Sequence, residues 1–382
     1  MKIDKKKIKN IKNILIYFFI ICSFIYSIFA ITKILVSFNL IDFSYYYQAS
    51  KFILQNISPY YNGKFVLNYP PSSFFFFIPF SIFPYRLEEI LWTILSYFSL
   101  LVSIFLLLKL FYKKISLKIY LVIYGLVMLS FPFKFNFGMG QVNIFILLFL
   151  CLNLYFYKTK KYLMSGIFLA IAISIKLTPI ILLLFFLKKK RYDVIFSTLI
   201  FLLFLNILSI LFFGINNFLD FYFKVLPSIP KIAGTVYYNQ ALTGFLSRLG
   251  LSFNIYIINY LIFIFLIMIG LIITKSKKEN FTKEILEYGF FISLMLISGG
   301  LAWQHHFVLL LIPYLGFFIL FLQKKLSRTE ILLLFISYIL VSYNIKSPSN
   351  FSGLLNLFLS HVFYGNLILL FLLVKRISFS KD

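Results

Sequence analysis

A single carboxylate follows the first long apolar run of the chain and is the best candidate for acid–base chemistry. Asp42 comes directly after the run Ile14–Leu40 and is the only acidic residue between Asp4 and Glu88. A carboxylate at that depth is costly unless it has a partner or a function. It could be the N-cap of a helix over 43–55, or a general base that removes a proton from a hydroxyl group. The two roles are compatible because an N-cap side chain points out of the helix end.

A lysine inside a later apolar segment is the first candidate for an anion site. Lys176 interrupts the segment 162–187 and is followed by Pro179. A lysine in this position should not face lipid, and it needs an anionic partner. Acidic side chains are scarce on the side of the membrane assigned to it below, where Asp42 and Asp220 are available. We therefore favour a bound anion such as a phosphate over a lysine that snorkels to the membrane surface.

Further polar and aromatic residues could contribute to the same site. Arg248 could make a bidentate contact to a phosphate, or it could be an arginine at the membrane interface. The pair His305 and His306 could bind metal, but adjacent helical residues point in different directions and no third ligand is near. Hydrogen bonding to a ligand is favoured for them, and we predict no metal ligands and no cofactor. Packing or loop roles stay open for the other candidates, which are Gln141, Asn143, Asn239, Gln240 and Tyr69.

The composition places these residues in a polytopic membrane protein. The 382 residues are 62% hydrophobic, with a mean hydropathy of +0.96. The net charge of +26 lies in short Lys and Arg clusters between apolar runs. This pattern orients membrane proteins, so we do not expect nucleic acid as a partner. Cys22 and Cys151 lie in apolar runs and imply no disulfide framework. The basic segment 2–12 precedes a run too long for a typical signal peptide, which predicts a retained first membrane helix.

The apolar runs predict an all-α fold with about 12 membrane helices in a single domain over residues 1–382. A spanning helix needs about 20 mostly apolar residues. Two of the segments are irregular, because 72–83 is short and 162–187 is broken before Pro179. The ten long runs are 14–37, 89–111, 115–133, 141–157, 192–214, 254–274, 285–302, 305–322, 329–344 and 354–374.

The basic clusters predict that both termini are cytoplasmic. All clusters fall on that side if 72–83 does not cross and 162–187 enters and returns, with Lys176 at its far tip. Segments with more Asn, Gln, Gly, Pro and His then collect on the outer face of the cell membrane. Because polar residues from distant segments gather there, we expect a shared site on that face. Its segments are 42–71, 134–140, 215–253, 303–306 and 345–353, of which 42–71 and 215–253 are too long for simple turns.

The ordered set of motifs resembles glycosyltransferase family 87, which includes mycobacterial polyprenol-phosphate-dependent mannosyl- and arabinosyltransferases. The resemblance covers roughly residues 14–320, and the last two helices carry no matching motif. The motifs are Asp42-x-x-Tyr45, Pro59-Tyr60, Tyr69-Pro-Pro71, Gly140-Gln-x-Asn143, Lys176-x-x-Pro179, Asn239-Gln240, Arg248 and Trp303-x-His-His306.

The resemblance implies a GT-C fold and transfer of a sugar from a polyprenyl-phosphate donor on the outer face. Asp42 matches the family's catalytic aspartate, and Lys176, Arg248 and the histidine pair match polar residues around the donor phosphate. The implied sugar is a mannose-like hexose or an arabinose-like pentose. The implied partners are the lipid bilayer, the donor, and a glycolipid or cell-envelope glycan acceptor.

The residue chemistry agrees with an inverting transfer. This reaction needs one base for the acceptor hydroxyl, and cations or hydrogen-bond donors where the leaving phosphate gains charge. Hydrolases of glycosidic bonds usually need two carboxylates, and only Asp42 and the less well placed Asp220 are available. A lipid-linked sugar flippase or transporter is the alternative, but it needs sites reachable from both faces. A non-catalytic scaffold leaves the segregation of polar residues unexplained.

Overall fold

The computed structural model describes residues 5–37, 40–60, 67–229, 236–250, 254–275 and 280–379. Lys277 and Lys278 of one predicted basic cluster, the start of the basic tail 2–12, and parts of both predicted outer loops lie outside these residues. The regular elements in the described ranges are helices. One isolated β-bridge also forms in these ranges, between Asn239 and Trp303. The prediction of an all-α chain is confirmed.

The described chain contains 18 α-helices, which follow one another in chain order. They are α1 Lys5–Ser37, α2 Ile41–Leu54, α3 Phe74–Phe77, α4 Tyr85–Lys109, α5 Leu117–Leu129, α6 Phe131–Met139, α7 Asn143–Lys158, α8 Tyr162–Ile175, α9 Leu182–Lys188, α10 Tyr192–Phe213, α11 Ile215–Asp220, α12 Leu226–Ser228, α13 Leu242–Arg248, α14 Ile255–Ile273, α15 Phe281–Ser298, α16 Leu311–Leu322, α17 Arg328–Ser342 and α18 His361–Phe379. Shorter helical turns are Pro71–Ser73, Ile78–Ser81, Thr178–Ile181, Phe221–Val225, Gln304–Leu310, Pro348–Asn350 and Gly353–Ser360.

Six helical segments in the described ranges are long and apolar enough to cross a membrane, and a seventh results if α5 and α6 form one span with a 70° bend. The other predicted spans form helices that are shorter or carry more charge than this criterion allows. The six are Asn13–Ser37, Tyr85–Lys109, Tyr192–Phe213, Ile255–Ile273, Gln304–Leu322 and Gly353–Phe379.

The two irregular segments have the local structures that their prolines predict. The first is a run of short helical turns over 71–81, too short to cross a bilayer. The second divides into α8 and the helical segment Thr178–Lys188. Lys176 lies between these two parts in an extended conformation, with φ −147° and ψ 123°. The break therefore puts the lysine at the tip of a helical pair rather than inside a helix.

Close helix packing holds the start of α8, at the end of the helix away from this tip. α8 packs between α7 and α10, and α7 packs against α4. A Cβ atom on Gly166 of α8 would lie 2.6 Å from the Cβ atom of Ser197 on α10, so the two helices approach within a distance that only glycine permits here. On the other side of α8, the buried Asn153 of α7 donates to the Ser165 carbonyl oxygen at 2.9 Å. The start of α8 therefore has little freedom to move.

Candidate active site

Asp42 lies in the first turn of α2 rather than at its N-cap. The N-cap residue is Leu40, without a side-chain capping hydrogen bond, so the prediction of an N-cap role for Asp42 is wrong. The reason is that Glu89 of α4 accepts a hydrogen bond from the Leu40 N–H at 3.0 Å, which ties the helix start to a distant element. The Asp42 carboxylate is consequently available for other contacts, and the helix dipole favours its negative charge.

An aromatic cluster holds α2 in place. Phe43 and Tyr46 are buried on one face of the helix. The Phe43 ring packs 4.9 Å from the Trp92 ring, and the Tyr46 ring stacks on Phe77 at 4.5 Å. Each such pair contributes about 0.5–1.5 kcal/mol beyond its buried area. Asp42 therefore projects from an anchored helix, which gives its carboxylate a defined position.

A polar cavity of about 390 Å³ adjoins the start of α2. Six of the predicted site residues line it, and these are Asp42, Tyr69, Gln141, Lys176, His305 and His306. Asn143 is buried behind them and contacts Lys176. Other polar and aromatic residues of the lining are Tyr45, Tyr46, Asn68, Thr178 and Trp303. The structure thus brings together side chains that are up to 264 positions apart, from Asp42 to His306 (306 − 42).

The carboxylate and the lysine are connected through two amide side chains. Gln141 Nε2 donates to Asp42 Oδ2 at 2.8 Å. Asn143 Nδ2 donates to Gln141 Oε1 at 3.2 Å, and Lys176 Nζ donates to Asn143 Oδ1 at 3.2 Å. The Tyr69 hydroxyl also donates to Gln141 Oε1, at 3.2 Å. Tyr69, a candidate site residue in the sequence, therefore lies at the cavity with its hydroxyl in this network.

Burial changes the acidity of the two charged groups at the cavity. It raises the pKa of the Asp42 carboxyl to about 6, against the opposing effects of the Gln141 hydrogen bond and the Lys176 charge. Burial lowers the pKa of Lys176 to about 7, and the charge of Asp42 opposes this shift. Asp42 can therefore accept a proton from a hydroxyl group near neutral pH, and Lys176 can change its charge in the same range.

His306 contacts the lysine directly. The backbone N–H of Trp303 donates to His306 Nδ1 at 3.1 Å, so Nε2 carries the proton of the neutral ring. This Nε2 lies 2.6 Å from Lys176 Nζ and donates to it, which requires the uncharged amine form of the lysine. An anionic group at this position would favour the ammonium form and release His306 to donate to the anion. His305 lines the same cavity beside its neighbour.

The structure does not bring Arg248, Asn239 and Gln240 to the cavity lining. Arg248 Nε donates to the Ser360 hydroxyl at 2.8 Å, and its Nη2 donates to the Asn239 carbonyl oxygen at 2.8 Å. Gln240 Nε2 donates to the Leu359 carbonyl oxygen at 2.7 Å. These side chains join the segment 236–248 to the turn before α18.

The segment around Asn239 supports the histidines from outside the cavity. The Gln240 N–H donates to the Ala302 carbonyl oxygen at 2.8 Å, and the Gln304 N–H donates to the Tyr238 carbonyl oxygen at 3.1 Å. The β-bridge between Asn239 and Trp303 lies between these two bonds. The histidine segment, defined as Trp303–His306, therefore has a backbone partner that fixes its path.

Sequence reasoning did not identify Tyr46 and Phe221 as site residues. Tyr46 follows Asp42 by four positions in α2, so helical spacing could have placed it on the same face. Its hydroxyl lies 2.8 Å from that of Tyr69. Phe221 lines the cavity from the turn Phe221–Val225, and nothing in the sequence distinguishes it from the other 51 of 52 phenylalanines.

A second cavity of about 270 Å³ lies between α5, α16 and α17. Its lining is almost entirely apolar, with Ser130, Ser342, Tyr314 and Tyr338 among aliphatic and phenyl side chains. Phe307 lines it from the helical turn that also carries His305 and His306, which face the polar cavity. In the described part of the chain, no three His, Cys, Asp or Glu side chains are grouped to hold a metal ion.

The fold and the site define an all-helical membrane protein with a polar cavity between its helix ends. The chain belongs to glycosyltransferase family 87, because the sequence model of that family matches residues 65–341, more than half of its 382 residues. The predicted resemblance is confirmed. The matched range includes Lys176 and both histidines, whereas Asp42 precedes it. No curated protein matches the chain.

Proposed function

We propose that this glycosyltransferase inverts the anomeric centre as it moves a sugar from a polyprenyl-phosphate donor to an acceptor hydroxyl on the outer face of the cell membrane. The observation that carries the proposal is one cavity whose described lining contains a single carboxylate, Asp42, together with Lys176 and two histidines. Membership of the family supports glycosyl transfer as the reaction. The cavity supports separate roles for Asp42 as the base and for Lys176 and the histidines as the groups that bind the phosphate.

The reaction uses the two sides of the cavity differently. Asp42 takes the proton of the acceptor hydroxyl as its oxygen bonds to the anomeric carbon. The bond from that carbon to the phosphate oxygen breaks, and the phosphate leaves with the electron pair. Lys176, His305 and His306 stabilise the charge that develops on the phosphate. A leaving phosphate needs no proton, so a second carboxylate is not required.

The apolar cavity supports a lipid-linked donor. Its volume and its aliphatic and phenyl lining suit part of a polyprenyl chain. The turn Gln304–Leu310 separates the two cavities, with His305 and His306 towards one and Phe307 towards the other. A phosphate held by the histidines could therefore have its prenyl chain among α5, α16 and α17.

The sugar in this proposal is a mannose-like hexose or an arabinose-like pentose, and the acceptor is a glycolipid or a cell-envelope glycan.

The membrane arrangement in this proposal has about 12 membrane segments of the GT-C type in a single domain over 1–382. The basic clusters then face the cytoplasm with both termini, and the polar cavity lies at the outer face. We assign Arg248, Asn239 and Gln240 to supporting the histidine segment beside the donor phosphate. Their side chains tie the segment 236–248 to the turn before α18, and the backbone of the same segment pairs with Ala302 and Gln304.

The test uses membranes that contain the protein, a labelled polyprenyl-phosphate sugar and extracted acceptor lipids. We expect Asp42→Asn to bind the donor and to lose transfer by roughly 100-fold or more, since the neutral amide cannot accept the proton. Asp193→Asn is the matched control, because Asp193 is exposed at the start of α10.

Two outcomes would contradict the proposal. Full activity of Asp42→Asn would exclude the carboxylate as the base. Movement of labelled donor across the bilayer by the wild type, without formation of product, would favour the lipid-linked sugar flippase.

A further inference from the structure

An unbroken row of hydrogen bonds runs from the histidine segment to the carboxylate. It passes from His306 through Lys176, Asn143 and Gln141 to Asp42, with donor–acceptor distances of 2.6, 3.2, 3.2 and 2.8 Å. Both amides are buried, with 1% of Asn143 and 7% of Gln141 exposed. Water therefore has little access to replace either amide in the row.

Donor and acceptor chemistry gives the row one direction. Asp42 as a carboxylate can only accept, so the NH₂ group of Gln141 must face it. The Gln141 oxygen then accepts from the NH₂ group of Asn143. The Asn143 oxygen accepts from Lys176, which donates in this direction whether it is an amine or an ammonium ion. Each bond from Lys176 onwards therefore points its proton towards Asp42, and the bond from His306 does so as well when Lys176 is the amine.

The backbone before Gln141 has a conformation and a close contact that require glycine, and both help to bring Gln141 to Asp42. Gly140 precedes Gln141 and has φ +68°, a left-handed conformation that glycine adopts readily. A Cβ atom on Gly140 would lie 2.7 Å from Phe43 Cβ and 2.9 Å from Leu40 Cβ. This close approach of two backbones lets the short Gln141 side chain reach the first turn of α2.

We propose that Asn143 and Gln141 are positioning residues that couple the donor-phosphate site at Lys176 to the base Asp42. Gln141 occupies Oδ2 of the carboxylate. In this proposal the other oxygen, Oδ1, takes the proton of the acceptor hydroxyl. Polarised hydrogen bonds strengthen one another, so positive charge at Lys176 stabilises the Asp42 carboxylate through the row. Negative charge on the phosphate opposes this stabilisation and makes Asp42 a stronger base as the leaving group departs. The inference rests on the proposed function.

Other charged and titratable groups surround Asp42 without connecting it to Lys176. Tyr46 and Tyr69 form a branch that reaches the row at Gln141 Oε1, Tyr45 and His305 line the cavity, and Arg86 and Glu89 lie at the start of α4. Arg86 and Glu89 pair with each other at 2.9 Å, and Glu89 also holds the Leu40 N–H. The connection from Lys176 to the carboxylate therefore depends on the two amides.

The test compares Asn143→Leu with Asn153→Leu, the same substitution of a buried asparagine on the same helix. For Asn143→Leu we expect kcat per folded enzyme to fall roughly 10- to 100-fold, the effect of losing a hydrogen bond that serves a charged group. We expect the donor KM to change less than about threefold. The acid limb of kcat should move to higher pH, because the Gln141 hydrogen bond that lowers the pKa of Asp42 is weakened. Asn143→Ala, which removes the amide without adding a charge, should show the same pattern if the leucine variant does not fold.

The outcomes separate three roles for Asn143. A raised donor KM with unchanged kcat would make it a phosphate contact and overturn the coupling. Less folded protein with wild-type kinetics, as expected for Asn153→Leu, would make it structural and also overturn the coupling. Absence of transfer by the wild type would overturn the proposed function and the coupling together. Active wild type with an unchanged acid limb in both Asn143 variants would overturn the coupling alone.

Discussion

At the scale of single residues, the proposed chemistry uses one carboxyl group whose pKa is raised by burial. An exposed aspartate has a pKa of about 4, whereas burial brings that of Asp42 to about 6. A stronger affinity for protons makes a better base as long as the group stays ionised at the working pH. At a pH just above its pKa, Asp42 is ionised and still has a high affinity for a proton. Both properties support its role as the proton acceptor.

The acidity of Asp42 predicts the pH dependence of transfer. The base acts when deprotonated, so kcat should rise as pH increases through about 6 and level off above it. The measurement is the rate of sugar transfer between pH 4.5 and 8 at saturating donor. Asp193→Asn should leave this limb in place. A limb near pH 4 would mean that the acting carboxyl is solvated as in an unfolded chain, contrary to the burial of Asp42.

At the scale of elements, the histidine segment depends on contacts outside the cavity. Arg248 joins α13 to the turn before α18, and the neighbouring backbone pairs with Ala302 and Gln304. These contacts place a positively charged side chain in a structural role, although its residue type suggested a phosphate ligand. The sequence could not distinguish the two roles because Ser360, one partner of Arg248, is 112 positions away.

Arg248→Leu tests the role of this contact. We expect the free energy of unfolding to fall by about 2–4 kcal/mol, because buried acceptors lose a charged donor. The donor KM of the protein that remains folded should stay close to that of the wild type. Thermal unfolding in detergent and transfer kinetics measure the two effects, with the exposed Arg328→Leu as the control. Unchanged stability with a donor KM raised tenfold or more would return Arg248 to the phosphate site.

Other elements show how far the sequence predicts the site. Lys176 could be placed at a helix break because Pro179 and the cost of charge in lipid act locally. The grouping of polar segments followed from charge clusters, which report membrane sides. The N-cap role of Asp42 was wrong because Glu89, 49 positions from Leu40, takes over the helix start. Local patterns do not contain such contacts between distant residues.

At the scale of the whole molecule, two cavities of different polarity lie on either side of one helical turn. The polar cavity holds the proposed reacting groups, and the apolar cavity lies among helices that would face lipid. A donor with a phosphate and a long prenyl chain likewise has one polar part and one apolar part, which match the two cavities. We therefore expect chain length to affect donor binding through the apolar cavity and to have little effect on the chemical step.

Leu334→Trp tests this division, because Leu334 lines the apolar cavity from α17. The larger side chain should raise the KM for a long-chain donor roughly 5- to 20-fold, the effect of losing contacts of one to two methylene groups. A donor analogue with a short chain should keep its KM. Leu332→Trp on the same helix is the matched control, since Leu332 is exposed and does not line the cavity. Equal effects on both donors would place the prenyl chain elsewhere.

The distance along the chain between Asp42 and His306 has a consequence for biosynthesis. Lys176 enters the membrane long before the histidine that contacts it has been synthesised. Until Trp303–His306 arrives, the lysine lacks one of its two hydrogen-bonded partners, and the polar cavity lacks one wall. The nascent protein therefore completes the proposed catalytic cavity only after His306 has been synthesised, so a partly inserted chain that stops before this residue should not transfer sugar.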